Sequence, residues 1–229
     1  LLMPENPEHT IELLINLAQN NESIQSKLLD SVTRIIAEKR WAKLIPEYHN
    51  PNIEQNLFTE NPNLALQIAF KSLDVVDPRK LIPMENVNLM SVFAILQKAE
   101  DMDAASRFMK MFAEAVEFDC DFSYVDKNIS DEQMNEFTQQ TADADTVLFP
   151  IFFKSRAYNN SINFPENLKD FMDKTVKGKN SIAILFGNPY LKDEIHTDSI
   201  ILAYSDSYSS MAAAVMKLSG RNLDWIGNE

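Results

Sequence analysis

Lys154, Arg156 and Tyr158 are the side chains in this sequence best placed by type to meet a ligand. Two cations and a phenol directly follow Thr146–Phe153, the most apolar run of the chain, which reads as the central strand of a sheet. Open α/β sheets bind ligands beyond the carboxyl ends of their strands, where this loop would lie. Asn188, Pro189 and Tyr190 stand at the end of the next apolar run, Ser181–Phe186, and are candidates for the same reason. A solvated connection or a contact with another domain would use the same residue types, because strand-end loops often only connect.

Other chemistries are weakly represented. His9, His49 and His196 lie in three separate segments, with no His-x-x-x-His pair and no cysteine partner, so no zinc site is expected. Asp119, Asp121 and Asp126 have part of a calcium-loop pattern but lack its glycine and terminal glutamate. Asp119 and Asp121 alternate with Phe118, Cys120, Phe122 and Tyr124, which makes them the wet face of an edge strand. There is no Gly-x-Ser-x-Gly elbow, and Ser205–Ser210 reads as a helix start. Cys120, the single cysteine, is a buried small hydrophobe in this reading, so no disulfide is expected within the chain. Phosphate cradles need glycine-rich turns, and of four glycines only Gly187 follows a strand. A phospho-receiver would carry aspartate where Phe153 and Lys154 stand. These patterns assign no catalytic residue, no metal ligand and no cofactor.

The elements that must position the candidates read as alternating helices and strands. A helix from Pro7 carries Ile11, Leu14, Ile15 and Ala18 on one face and breaks at Asn20-Asn21. A second shows Leu28, Val32, Ile35 and Ile36, with Arg34 as a structural ion-pair residue. Ile45–Thr59 is polar and aperiodic, with Pro46 and Pro51, and reads as a linker. Asn61-Pro62 starts a helix that buries Leu64, Ala65, Ile68 and Ala69. Leu73–Val76 is a short strand candidate, followed by Val87–Leu96. Asp103 caps a helix with Ala105, Phe108, Met109, Phe112 and Val116 on one side. Ser130 and Gln133 form a capping box. Pro150 is awkward inside a central strand, since proline gives no ladder hydrogen bond. Phe164–Val176 is a helix with Leu168, Phe171 and Met172 inward. Asp198–Tyr204 is the last strand, Ser207 opens the last helix, and Gly220 sits where a left-handed cap belongs.

The pattern predicts a three-layer α/β/α sandwich with a mostly parallel sheet of five or six strands. With 45% hydrophobic and 24% charged residues, the chain can bury a sizeable core. A formal net charge of −13 argues against nucleic acid or an anionic membrane as partner. No run approaches the ~20 apolar residues of a membrane span. The compartment stays open between cytoplasmic and exported.

Three segments carry a family resemblance. FGNPYLKDEIHTDSIILAYSDSYSSMAAAVMKLSG, residues 186–220, resembles the end of the C-terminal α/β sandwich domain of bacterial family-3 glycoside hydrolases, in particular their β-N-acetylglucosaminidase-like branch. Leu1–Leu44 resembles the last strand and helices of that family's (β/α)8 barrel, and Asp145–Pro165 the middle strand of the sandwich with its loop. The resemblance implies three parts: residues 1–44 as the barrel's tail, 45–60 as a linker and 61–229 as the sandwich. It also implies a longer parent enzyme acting on a carbohydrate, since glycoside cleavage takes two carboxylates and the family's nucleophilic aspartate lies upstream on the barrel. In the β-glucosidases of the family a glutamate after the central strand serves as acid. Here that place reads Phe152-Phe153-Lys154-Ser155-Arg156. The departure points to the N-acetylglucosaminidase-like branch, whose His/Asp acid/base pair also lies on the barrel. Lys154, Arg156, Tyr158, Asn188 and Tyr190 then become rim residues, and the segment itself is non-catalytic. The alternative from another class is a stand-alone α/β/α binding module.

Overall fold

The computed structural model describes residues 7–42, 44, 64–154 and 163–222, which fall into two compact units, one within Leu1–Glu60 and one within Asn61–Glu229. The expected strand at Leu1–Met3, the linker and the Asn61-Pro62 cap lie outside the described residues.

The first unit is a helical hairpin. Helix α1 spans Pro7–Gln19 and α2 spans Glu22–Trp41. Asn21 divides them: its side-chain oxygen accepts the N–H groups of Ser23 and Ile24 at 3.0 and 3.2 Å, capping α2. Two helices alone share a single seam, so each can cover only one row of side chains. The half-buried row is Thr10, Leu14, Ala18, Ile24, Leu28 and Ser31. Ile11, Ile15, Val32, Ile35 and Ile36, expected on inward faces, are exposed, and α2 buries no residue fully.

The second unit is the sandwich. Its strands are β1 Asp74–Val76, β2 Leu89–Leu96, β3 Asp119–Asp126, β4 Thr146–Phe152, β5 Asn180–Leu185 and β6 Ser199–Leu202. Its helices are α3 Leu64–Ser72, α4 Met102–Ala115, α5 Asp131–Gln140, α6 Glu166–Thr175 and α7 Tyr208–Ser219. The six strands lie in the order β1-β6-β5-β4-β2-β3, all parallel except β1, which runs antiparallel to β6. One face packs Val92, Leu148, Phe152 and Ile184 against Phe108 and Phe112 of α4, Met211 and Val215 of α7, and Leu66 of α3. The other packs Phe93, Phe149, Ile151 and Leu185 against Met134 of α5 and Leu168, Phe171 and Met172 of α6.

The strand β3 is an edge strand, as its alternation predicts, and β4 is interior and buried throughout. Proline is accommodated in β4 at the expense of one neighbour. Pairing with β5 runs unbroken from Thr146 opposite Asn180 to Ile151 opposite Leu185. Pairing with β2 skips from Val92–Leu148 to Ile95–Ile151, passing over Phe149 and Pro150. The missing N–H is therefore felt on the β2 side alone.

Cys120, expected to be buried, is half-buried at the sheet edge, and two further expectations need correction. In α3 the buried residues are Leu66 and Ala69, while Leu64 and Ile68 are exposed. Leu66, Ala69, Phe70 and Leu73 satisfy the same helical spacing, and they are the row that meets the core. Before α4 comes a 3-10 turn, Ala99–Asp101, and Asp101 rather than Asp103 stands at the helix start. The Asp101 carboxylate accepts the Lys98 N–H at 3.1 Å. The capping box holds as read: Gln133 N–H donates to Ser130 Oγ at 3.2 Å, and Ser130 N–H to Gln133 Oε1 at 3.0 Å.

Carboxylates tie down the amino-terminal ends of the strands. Asp77 accepts from Ser199 Oγ at 2.5 Å and from the N–H groups of Leu81 and Ile82, both at 2.9 Å. Asp198 accepts from Ser181 N–H and Oγ, both at 3.0 Å, and pairs with Arg79 at 2.8 Å. Burial pushes the Asp198 carboxyl up, but the hydrogen bonds from Arg79 and Ser181 and the guanidinium charge outweigh it and hold the group below its ordinary 3.8. A depressed folded value means that folding favours the carboxylate. Its contribution to stability is complete above 3.8 and is lost as pH falls through the folded value. Asp198→Asn is therefore expected to lower the urea midpoint at neutral pH. The gap from the parent chain should close in acid below 3.8, read from urea melts across pH.

Candidate functional site

The carboxyl ends of the strands are set by the winding of the chain. From β2 the chain moves outward to β3, then returns to β4 on the other side of β2, so the direction of winding reverses between β2 and β4. In open sheets a crevice forms there and takes the ligand. In this protein a side chain bridges it. Gln97, just past β2, accepts the Lys154 N–H on its Oε1 at 3.3 Å and donates Nε2–H to the Lys154 carbonyl at 3.4 Å. The amide acts as one more rung between the two strands. The Lys154 ammonium pairs with Asp206, which follows β6, and so spans the end of β5.

The turn after β5 fits against the same point. Gly187 has φ 152°, and a Cβ there would lie 2.2 Å from the Phe153 carbonyl oxygen. Asn188 N–H donates to that oxygen at 2.8 Å, and Phe186 N–H to the Ile151 carbonyl at 2.9 Å. The Asn188 side chain is 8% exposed, and its oxygen accepts the Tyr190 N–H at 3.1 Å, capping the 3-10 turn Pro189–Glu194. Tyr190 projects from that turn and is 80% exposed. After β6, Tyr204 takes a left-handed backbone, φ 60°, and its hydroxyl donates to Asp74 of β1. That bond, then partial burial, pushes the Tyr204 phenol up.

Of the five residues singled out by sequence, Lys154, Asn188 and Tyr190 come together at this edge, while Arg156 and Tyr158 lie outside the described residues. Lys154 is charge-paired, Asn188 is a buried cap, and Tyr190 offers an open ring. The sequence reading passed over Gln97, Asp206 and the close approach at Gly187. Only Gly187 carried a signal, a glycine directly after an apolar run; Gln97 and Asp206 are recognised by partners far away in sequence.

At the amino-terminal edge lies a cleft of about 820 Å³ lined by Arg79, Lys179, His196 and Asp198 among others. Its charges are engaged within the protein. Arg79 pairs with Asp198, Lys179 Nζ donates to the carbonyls of Ala142 and Ala144 at 3.2 and 3.1 Å, and His196 Nδ1 lies 3.5 Å from Asp173. Among the described residues no group of three or more His, Cys, Asp or Glu is placed to hold a metal ion. Burial, then the neighbouring Asp119 and Asp121, push the Cys120 thiol up to about 12, far from a reactive thiolate. No helix among the described residues is long and apolar enough to cross a membrane.

The Gly187 junction gives a direct test of this geometry. Gly187→Ala must move either the β4 backbone or the turn, so a loss of about 2 kcal/mol or more is expected from denaturant melts. Alanine at Gly178, where an added Cβ meets nothing within 4 Å, should cost less.

No protein-family model matches the chain, and no curated protein matches it by sequence. Solved structures do match. Beta-glucoside phosphorylase BglX bound to 2FGlc matches with a TM-score of 0.61 at 20% identity, over 85% of this chain and 36% of that one. A second structure of beta-glucoside phosphorylase BglX gives 0.60 at 19% identity, over 84% and 36%. A glycoside hydrolase family 3 β-N-acetylglucosaminidase from Paenibacillus sp. str. FPU-7 gives 0.52 at 14% identity, over 68% and 30%. The chain spans about a third of the length of the structures it matches. At these identities the likeness is one of fold: the chain shares the architecture of a part of each of these larger proteins, one of them a family-3 glycoside hydrolase.

Proposed function

We propose that the chain is the C-terminal part of a family-3-like glycoside hydrolase and supports a catalytic barrel without supplying catalytic residues. The parent enzyme would cleave a terminal β-linked N-acetylglucosaminide or a related β-glycoside. One observation carries the reading: a sandwich complete in its own core is joined in sequence to a hairpin whose apolar faces are open. Ile11, Ile15, Leu29, Ile35 and Trp41 are 48 to 83% exposed. Burying one Leu or Ile side chain is worth about 1.5–3 kcal/mol, so such a row favours a partner surface. A catalytic barrel, as the family resemblance implies, would provide it.

The residues at the strand end support the branch that the resemblance implies. Lys154 stands where a glutamate acid would be needed, and its charge is spent on Asp206. Both carboxylate roles would then fall to the barrel. In this reading Lys154, Asn188 and Tyr190, with Arg156 and Tyr158, shape the rim and do not touch the reacting bond.

The test is an activity comparison. The purified 229-residue chain should not turn over an aryl β-N-acetylglucosaminide, with or without inorganic phosphate. The product of the same reading frame extended upstream by a barrel, roughly 250 residues, should do so. Turnover by the short chain, abolished by a mutation within it, would overturn the non-catalytic role. A reading frame with no barrel pattern upstream would instead favour the stand-alone binding module.

A further inference from the structure

We propose that the cleft at the carboxyl ends of β2 and β3 binds a single neutral pyranose ring. It measures about 290 Å³ and lies between the start of α4 and the start of α5, away from the Gln97–Lys154 bridge. Sites for small molecules run from about 300 Å³ upward, so this one suits one ring and no more. Its floor is apolar and buried, with Leu96 at 3% exposure. Its walls are the Met102 thioether and the Tyr124 ring, 45 and 39% exposed. Tyr124 continues the row of Cys120 and Phe122 that packs on the core, yet its own ring is left open, and its hydroxyl has no partner among the described residues.

The polar groups are Asp126, Asn128 and Gln133. Gln133 spends its Oε1 on the Ser130 N–H, which leaves its NH₂ to donate. Asp126 accepts the Asn128 N–H at 2.8 Å and the Asn128 side-chain amide at 3.4 Å, and its lone pairs can accept from further donors. Donor and acceptor beside apolar walls match a ring with C–H faces and a hydroxyl edge. No Lys, Arg or His lines the cleft, so an anionic ligand finds no counter-charge. An organic cation would meet only the single Asp126 carboxylate, so tetramethylammonium serves as the control. The inference concerns the sandwich alone and does not depend on the parent's reaction.

Amide chemical shifts of the full chain, titrated with methyl β-glucopyranoside and with methyl N-acetyl-β-glucosaminide, read the site directly. Saturable shifts at Met102, Tyr124 and Asn128 are expected with at least one glycoside, and none with inorganic phosphate. Tyr124→Ala should weaken binding by about tenfold. Met102→Lys, at an exposed position, should block the cleft while leaving the other amide shifts in place. The proposal is overturned if neither glycoside gives saturable shifts there, if tetramethylammonium alone does, or if both variants bind as the parent chain does.

Discussion

Strand β4 is buried on both faces along its whole length, and much of the rest follows from that. A parallel strand in that position must be covered by helices on each side, since its crossovers can be made no other way. Phe152 stacks on Phe186 with centroids 5.0 Å apart, and Phe186 meets Phe108 of α4 edge-on at 5.3 Å. On the opposite face Phe171 of α6 sits edge-on to Phe93 at 5.2 Å and to Phe149 at 6.3 Å. Removing one such ring costs about 3–5 kcal/mol, whereas an exposed ion pair contributes about 0–1. Packing on both faces, not the surface charges of this acidic chain, decides the stability of the sandwich.

That constraint is also why the fold was legible. A run such as Val147–Ile151 has no polar face, so it can only be interior, and the half-polar Asp119–Tyr124 run can only be an edge. Capping by Ser130, Ser207 and Gly220 is local and was readable from neighbouring residues. The face of α3 was misread because Leu64-Ala65-Ile68-Ala69 and Leu66-Ala69-Phe70-Leu73 both satisfy a helical stripe. Which stripe turns inward is decided by α7, which no local pattern contains.

The candidate site was legible in place but not in chemistry. Sequence put Lys154 at the end of the central strand, where it is found. It could not show that Gln97 closes the crevice at the reversal of winding, or that Asp206 takes the ammonium. Both partners are fixed by strand order, and strand order is a property of the assembled sheet. At this edge the central crevice is bridged, the cation is paired and the asparagine is a cap.

The sandwich closes its own core, while the helical hairpin leaves Ile11, Ile15, Val32, Ile35 and Ile36 exposed. Hydrogen exchange of the 229-residue chain tests this contrast most directly, because protection follows the free energy of local opening. Amides of Val147, Leu148, Phe149 and Ile151 and of Ile182–Leu185 should exchange only through global unfolding, and those of Ile11–Ile36 much sooner. Equal, slow exchange in both regions would contradict the claim and make the hairpin an integral part of the sandwich.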